Sequence, residues 1–112
     1  MADGADRGVF KRRVRFWSKR MDIPVATITL RPMRRKWASA STAGNLTFNT
    51  ELLGMGREVQ DYVIVHELLH LSVPNHGPLW KSLMRAHLGE WEAVAARLRE
   101  AATEEMSRLR ST

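Results

Sequence analysis

Between residues 6 and 21 the apolar positions Phe10, Val14, Trp17 and Met21 recur at steps of four, three and four, with Lys or Arg at most positions between them. That spacing predicts an amphipathic helix with one face on a core. "MDIPV" marks its end, because the proline disfavours helical geometry in the residue before it. "ATITL" is rich in β-branched residues, and Pro32 breaks the run. "RKWASAS", the turn "TAGN" and "LTFNTEL" follow, the last with Leu46, Phe48 and Leu52 separated by polar residues. Two or three short strands are expected here, the last two forming a hairpin, and "LLGMG" closes the small sheet.

From about Glu58 to Leu71 the pattern changes. Val59, Val63, Ile64, Val65, Leu68, Leu69 and Leu71 cover most of a helix circumference, so this helix belongs in the interior. Pro74 stops it, and Gly77 with Pro78 opens another helix to about residue 88. After Gly89 the positions Trp91, Val94, Ala95, Leu98, Ala101, Ala102, Met106 and Leu109 recur with helical period, predicting a long final amphipathic helix. The elements make an α+β fold: an N-terminal helix, a two- to three-stranded antiparallel sheet, a buried helix and two C-terminal helices.

Composition narrows the class. A chain of 112 residues, 44% apolar and 27% charged, suits one small domain spanning 1–112. With no cysteine, disulfides and thiolate metal sites are excluded, and a metal must be held by nitrogen and oxygen ligands. The start, "MADGADRGVFKRRVRFW", lacks an apolar leader core, and no run is long enough to span a membrane, so the expectation is a cytoplasmic, monomeric protein without a membrane partner. The net charge of +6 is uneven: residues 1–36 hold 11 Lys/Arg against 3 Asp/Glu, and residues 37–112 hold 7 against 9. A basic N-terminal third suits DNA or another acidic partner, and equally an ordinary solvated helix face.

The chemistry concentrates in "HELLHLSVPNH", which holds three of the four histidines. On a helix, His66 and His70 lie one turn apart on the same side, while Glu67 is displaced around the axis. That arrangement suits Zn²⁺ held by two imidazoles and a third protein ligand, with a water in the fourth place and Glu67 beside it as general base and acid. His76, brought back by the Pro74 turn, and Glu90, at the start of the last helix, are the two candidates for third ligand, and His76 is favoured as a neutral donor between two prolines. Without a metal, three polar groups in an apolar helix would each cost about 1–3 kcal/mol on burial unless otherwise partnered.

"RRKWASASTAGNLTFNTELL" followed by "DYVIVHELLHLSVPNHGPLWKSLM" resembles the YgjP-type metal-dependent hydrolases, related to the WLM and SprT-like zinc peptidases. The resemblance covers about residues 31–92. It implies a zincin-like fold, His66, His70 and His76 as zinc ligands, Glu67 as the catalytic glutamate, and a peptide or protein substrate. Ala38 and Ala40 stand around Ser39 where the family commonly has glycine and cysteine. SprT-like proteases act on DNA-crosslinked proteins, an analogy that would give the basic N-terminal third a purpose.

Other residues carry weaker signals. Tyr62, one turn before His66, is placed to orient a ligand or contact substrate, or is a half-buried tyrosine of a core helix. His87 is a candidate oxyanion donor or a surface histidine at a helix end. Trp37, Trp80 and Trp91 read as core. Leu46, Thr47 and Phe48 are expected on an edge strand that could pair with an extended peptide, unless a loop covers that edge. A zinc peptidase therefore competes with a basic nucleic-acid-binding module built on structural zinc and with an inactive adaptor. The intact Glu67 counts against the adaptor.

Overall fold

The computed structural model describes residues 3–73 and 77–100. Helix α1 runs Asp3–Met21, and strands β1 (Thr27–Arg31), β2 (Ala38–Ala40) and β3 (Asn45–Asn49) follow. A short 3₁₀ turn, Thr50–Gly54, leads to α2 (Arg57–Ser72), α3 (Pro78–Leu88) and a last helix, α4, over 92–100. The final stretch of the predicted last helix, with Ala101, Ala102, Met106 and Leu109, lies outside the described residues.

The spacing in α1 does what it predicts. Phe10, Val14 and Trp17 are buried while Lys11, Arg12, Arg15, Lys19 and Arg20 face outward. Phe10 meets Phe48 of β3 edge to face, with ring centroids 5.0 Å apart, which docks the helix on the sheet. Asp22 ends the helix by turning into the left-handed region at φ 56°, and Ile23 N–H donates to the Ser18 carbonyl at 3.0 Å.

The sheet departs from expectation in two ways. Its order is β1-β3-β2, with β1 parallel to β3 and β2 antiparallel, so it is mixed and not antiparallel throughout. The expected β2–β3 hairpin is present, pairing Ala38 with Phe48 and Ala40 with Leu46. Gly44 permits its turn: φ is 88°, and a Cβ there would come within 3.3 Å of the Ala26 nitrogen. The second departure corrects the edge-strand reading of Leu46, Thr47 and Phe48. These residues lie on the central strand, where both backbone edges are paired. Leu46 and Phe48 are fully buried, and the strand with the most apolar area to hide takes the middle. β2 lies at the sheet edge.

α2 is interior as its pattern implies, with Val63, Ile64, Val65, Leu68 and Leu69 buried. It packs against α1, α3 and β2. Pro78 occupies the first turn of α3 behind Gly77, and Gly89 at φ 70° closes it. Trp80 is 3% exposed and forms core as expected, whereas Trp37 and Trp91 are half-buried.

Candidate metal centre

α2 delivers His66 and His70 one turn apart. Their rings meet edge to face, with centroids 4.6 Å apart. Glu67 is buried beside them, its Oε1 3.4 Å from His66 Nδ1. One ligand atom from each of His66, Glu67 and His70 falls within 4.8 Å of the others, close enough to surround a single cation. Two imidazole nitrogens and a carboxylate oxygen are a donor set that suits zinc. Trp80 of α3 backs both histidines, its ring 5.2 Å from that of His66 and 6.4 Å from that of His70. The apolar core beneath α2 therefore fixes the floor of the site.

A cavity of about 380 Å³ opens over His66 and Glu67. Its walls are Trp37 and Ala38 at the β2 edge, Arg35 and Lys36 in the loop before it, and Ala95, Leu98 and Arg99 of α4. Tyr62 also faces this space. Its ring lies 5.7 Å from that of His66 and stacks on Trp91 at 6.2 Å. Burial raises the Tyr62 pKa, with Arg99 opposing and Glu67 adding to the rise, so the phenol stays a neutral donor.

The remaining predicted residues fall elsewhere. Glu90 and His87 line a second cavity of about 200 Å³, shared with Trp17, Asp61 and Trp91, and neither joins the histidine group. His87 lies 6.3 Å from the Trp17 ring, and burial followed by Arg20 lowers its pKa. His76 lies outside the described residues.

Two polar residues had escaped the sequence reading. Asn49, 3% exposed at the end of β3, donates from Nδ2 to the carbonyls of Met33 and Lys36, each at 2.9 Å. Its Oδ1 accepts from Glu51 N–H at 3.0 Å, capping the 3₁₀ turn. An asparagine before "TEL" was the available cue for that cap. Asp61 accepts two hydrogen bonds from Arg13, at 2.7 and 2.8 Å, and one from Trp17 Nε1 at 2.9 Å. A lone aspartate in so apolar a helix signalled a partner on another element.

A YgjP-like metallopeptidase domain model matches residues 5–101. The chain belongs to this family. Among solved structures it is similar to the metallopeptidase zymogen jannalysin of Methanocaldococcus jannaschii, at 24% identity and TM-score 0.73 over 82% of this chain and 95% of that one. It is also similar to the zymogen abylysin of Pyrococcus abyssi, at 19% identity and TM-score 0.70 over 84% and 95%. These likenesses share the fold. No curated protein sequence matches the chain. As a member of a metallopeptidase family, the chain is a peptidase whose His66, Glu67 and His70 make a group fit for a metal. No helix among the described residues is long and apolar enough to cross a membrane.

Proposed function

We propose that the protein is a zinc-dependent peptidase in which His66, His70 and His76 hold the metal and Glu67 is the general base. The observation that carries this reading is the approach of one donor atom from each of His66, Glu67 and His70 to within 4.8 Å, at a cavity open to a strand edge. When bound, zinc supplies Lewis-acid chemistry, polarising a peptide carbonyl and acidifying a water.

The chain's own groups do the rest. Glu67, held against His66 in a buried position, takes the proton of the attacking water and passes it to the leaving amine. Tyr62, kept neutral by burial, donates a hydrogen bond to the carbonyl oxygen as negative charge develops there. An extended peptide pairs with the outer edge of β2, beside the Trp37 and Ala38 that line the same cavity. The backbone of β2 thereby takes the substrate-positioning role first given to Leu46, Thr47 and Phe48.

Glu67→Gln tests the assignment. Purified wild-type protein supplied with zinc should bind about one equivalent and cleave an unfolded protein. The variant should keep the zinc and lose hydrolysis by roughly 10²–10⁴-fold, the usual contribution of a positioned acid or base. Zinc-free wild type after supplementation, or undiminished cleavage by Glu67→Gln, overturns the reading. His76→Ala should abolish tight zinc binding while Glu90→Ala leaves it unchanged.

A further inference from the structure

The cavity over His66 and Glu67 is walled by cations. Arg35 and Lys36 stand on one side and Arg99 on another, and among the described residues Glu67 is the only carboxylate in the lining. Elsewhere in the described fold, five arginines have intramolecular acceptors, and others, Arg12, Arg20, Arg31, Arg34 and Arg57, have none among the described residues but do not line this cavity. Arg13 is held by Asp61, Arg97 by Glu58 and Arg85 by Glu92, while Arg7 and Arg15 donate to the carbonyls of Leu30 and Val25. The Arg35 and Lys36 side chains, both exposed, make no hydrogen bond or ion pair with other described residues. They are cations with no ion-pair partner among the described residues, placed at the rim of the site.

The backbone that carries them is fixed. Arg35 sits in the left-handed region at φ 62°, a conformation glycine adopts freely and an arginine adopts under strain. The buried Asn49 amide clamps the loop on both sides of Arg35 through the Met33 and Lys36 carbonyls. Holding the loop in advance lowers the ordering cost when an anion arrives. Trp37, Ala38 and Leu98 add low-polarity walls, where a charge pair is screened less than on an open surface.

We propose that this rim binds a carboxylate side chain of the substrate next to the scissile bond, which makes the protein selective for acidic peptide segments. Cleavage selectivity rests on the peptidase reading above; binding selectivity does not. Arg35 and Lys36 reach the substrate carboxylate from the loop, and Arg99 of α4 adds positive charge to another wall of the cavity. Among the described residues, the lining offers no competing carboxylate except Glu67 at the cavity floor.

The test uses peptides capped at both ends, so that a terminal carboxylate cannot mimic a side chain. They are identical except for Glu, Gln or Lys flanking one cleavable bond. Binding is read by fluorescence anisotropy on zinc-loaded Glu67→Gln protein, and cleavage is read on wild type. The Glu peptide should bind about tenfold tighter than the Gln peptide at low ionic strength, with the ratio shrinking as salt is added. Arg35→Gly should bring the ratio toward one. Its thermal midpoint should equal or exceed that of wild type, because the glycine relieves the left-handed strain, and this separates lost recognition from lost folding. Arg35→Glu combined with Lys36→Glu should invert the preference toward the Lys peptide.

Equal binding of the Glu and Gln peptides overturns the proposal, as does a preference that survives both variants. An oligonucleotide of matched charge that competes as well as the Glu peptide also overturns it, by showing a generic polyanion surface. Discrimination in binding without any cleavage would leave the rim standing and remove the peptidase reading. Cleavage without discrimination would do the reverse.

Discussion

Two cavities meet at Tyr62, and their linings carry opposite charge. One holds His66 and Glu67 with Arg35, Lys36 and Arg99 around them; the other is bordered by Glu58, Asp61 and Glu90 with His87. Ranked by titratable groups alone, the second cavity, with three carboxylates and a histidine, would look the better metal site. Its acids, however, are largely occupied within the fold. Asp61 binds Arg13 and Trp17, joining α2 to α1, and Glu58 pairs with Arg97 of α4. At the first cavity, His66, Glu67 and His70 bring one donor atom each to within 4.8 Å of the others, and the rim cations of the β1–β2 loop have no ion-pair partner among the described residues. What separates scaffold from site here is the identity of each charge's partner.

Removing the best-partnered acid gives the largest test of that contrast. Asp61→Ala strands the Trp17 indole N–H and the Arg13 guanidinium, whose side chains are largely covered. The expected loss is about 2–3 kcal/mol, less than for a fully buried pair because water still reaches Arg13. Urea unfolding of the zinc-loaded protein reads it directly. Zinc affinity should change little, because Asp61 is outside the histidine group. A variant with wild-type stability and weakened zinc binding would exchange the roles of the two cavities.

Much of this was legible in the chain. The α1 face, the interior α2 and the Pro78 start of α3 follow from apolar spacing and from what proline permits, both local properties. His66 and His70 were legible for the same reason, since their separation of four fixes their shared side. Strand order was not. The hairpin could be read from "TAGN", but whether β1 joins beside β2 or beside β3 depends on which strand is most apolar in three dimensions. Leu46 and Phe48 settle that by occupying the centre. The mistaken edge for residues 46–48 and the hidden edge at Ala38–Ala40 are one error of topology. Arg35 and Lys36 read as part of a diffuse basic third, because charge counts do not say which cations a buried asparagine pins beside a cavity.

Asn49→Ala sharpens the contrast from the basic side. The side chain makes three hydrogen bonds, two to loop carbonyls that can turn to water and one that caps the 3₁₀ turn, so the expected cost is about 1–2 kcal/mol. The informative result is local. Hydrogen exchange of residues 33–37 should speed up, and discrimination between Glu and Gln peptides should fall while zinc content holds. Unchanged exchange would mean that the loop is held by something other than Asn49.

The smallest effect lies in the acidic cavity, at His87. Burial against Trp17, and then Arg20, lowers its pKa below the ordinary histidine value, so the unfolded chain binds the proton more readily than the folded one. Folded stability from this group is therefore complete above the unfolded pKa of about 6.5 and is lost as pH falls through the depressed folded value. Urea midpoints at pH 7.5 and 5.5, compared between wild type and His87→Gln, isolate the contribution, because the two proteins differ only at that residue. Wild type should lose slightly more stability on acidification than the variant. Glu90 and Asp61 line the same cavity and would partly stabilise the protonated ring, which keeps the difference small. A reversed difference, with the variant more acid-sensitive than wild type, would mean that those carboxylates outweigh burial and that the second cavity takes up a cation after all.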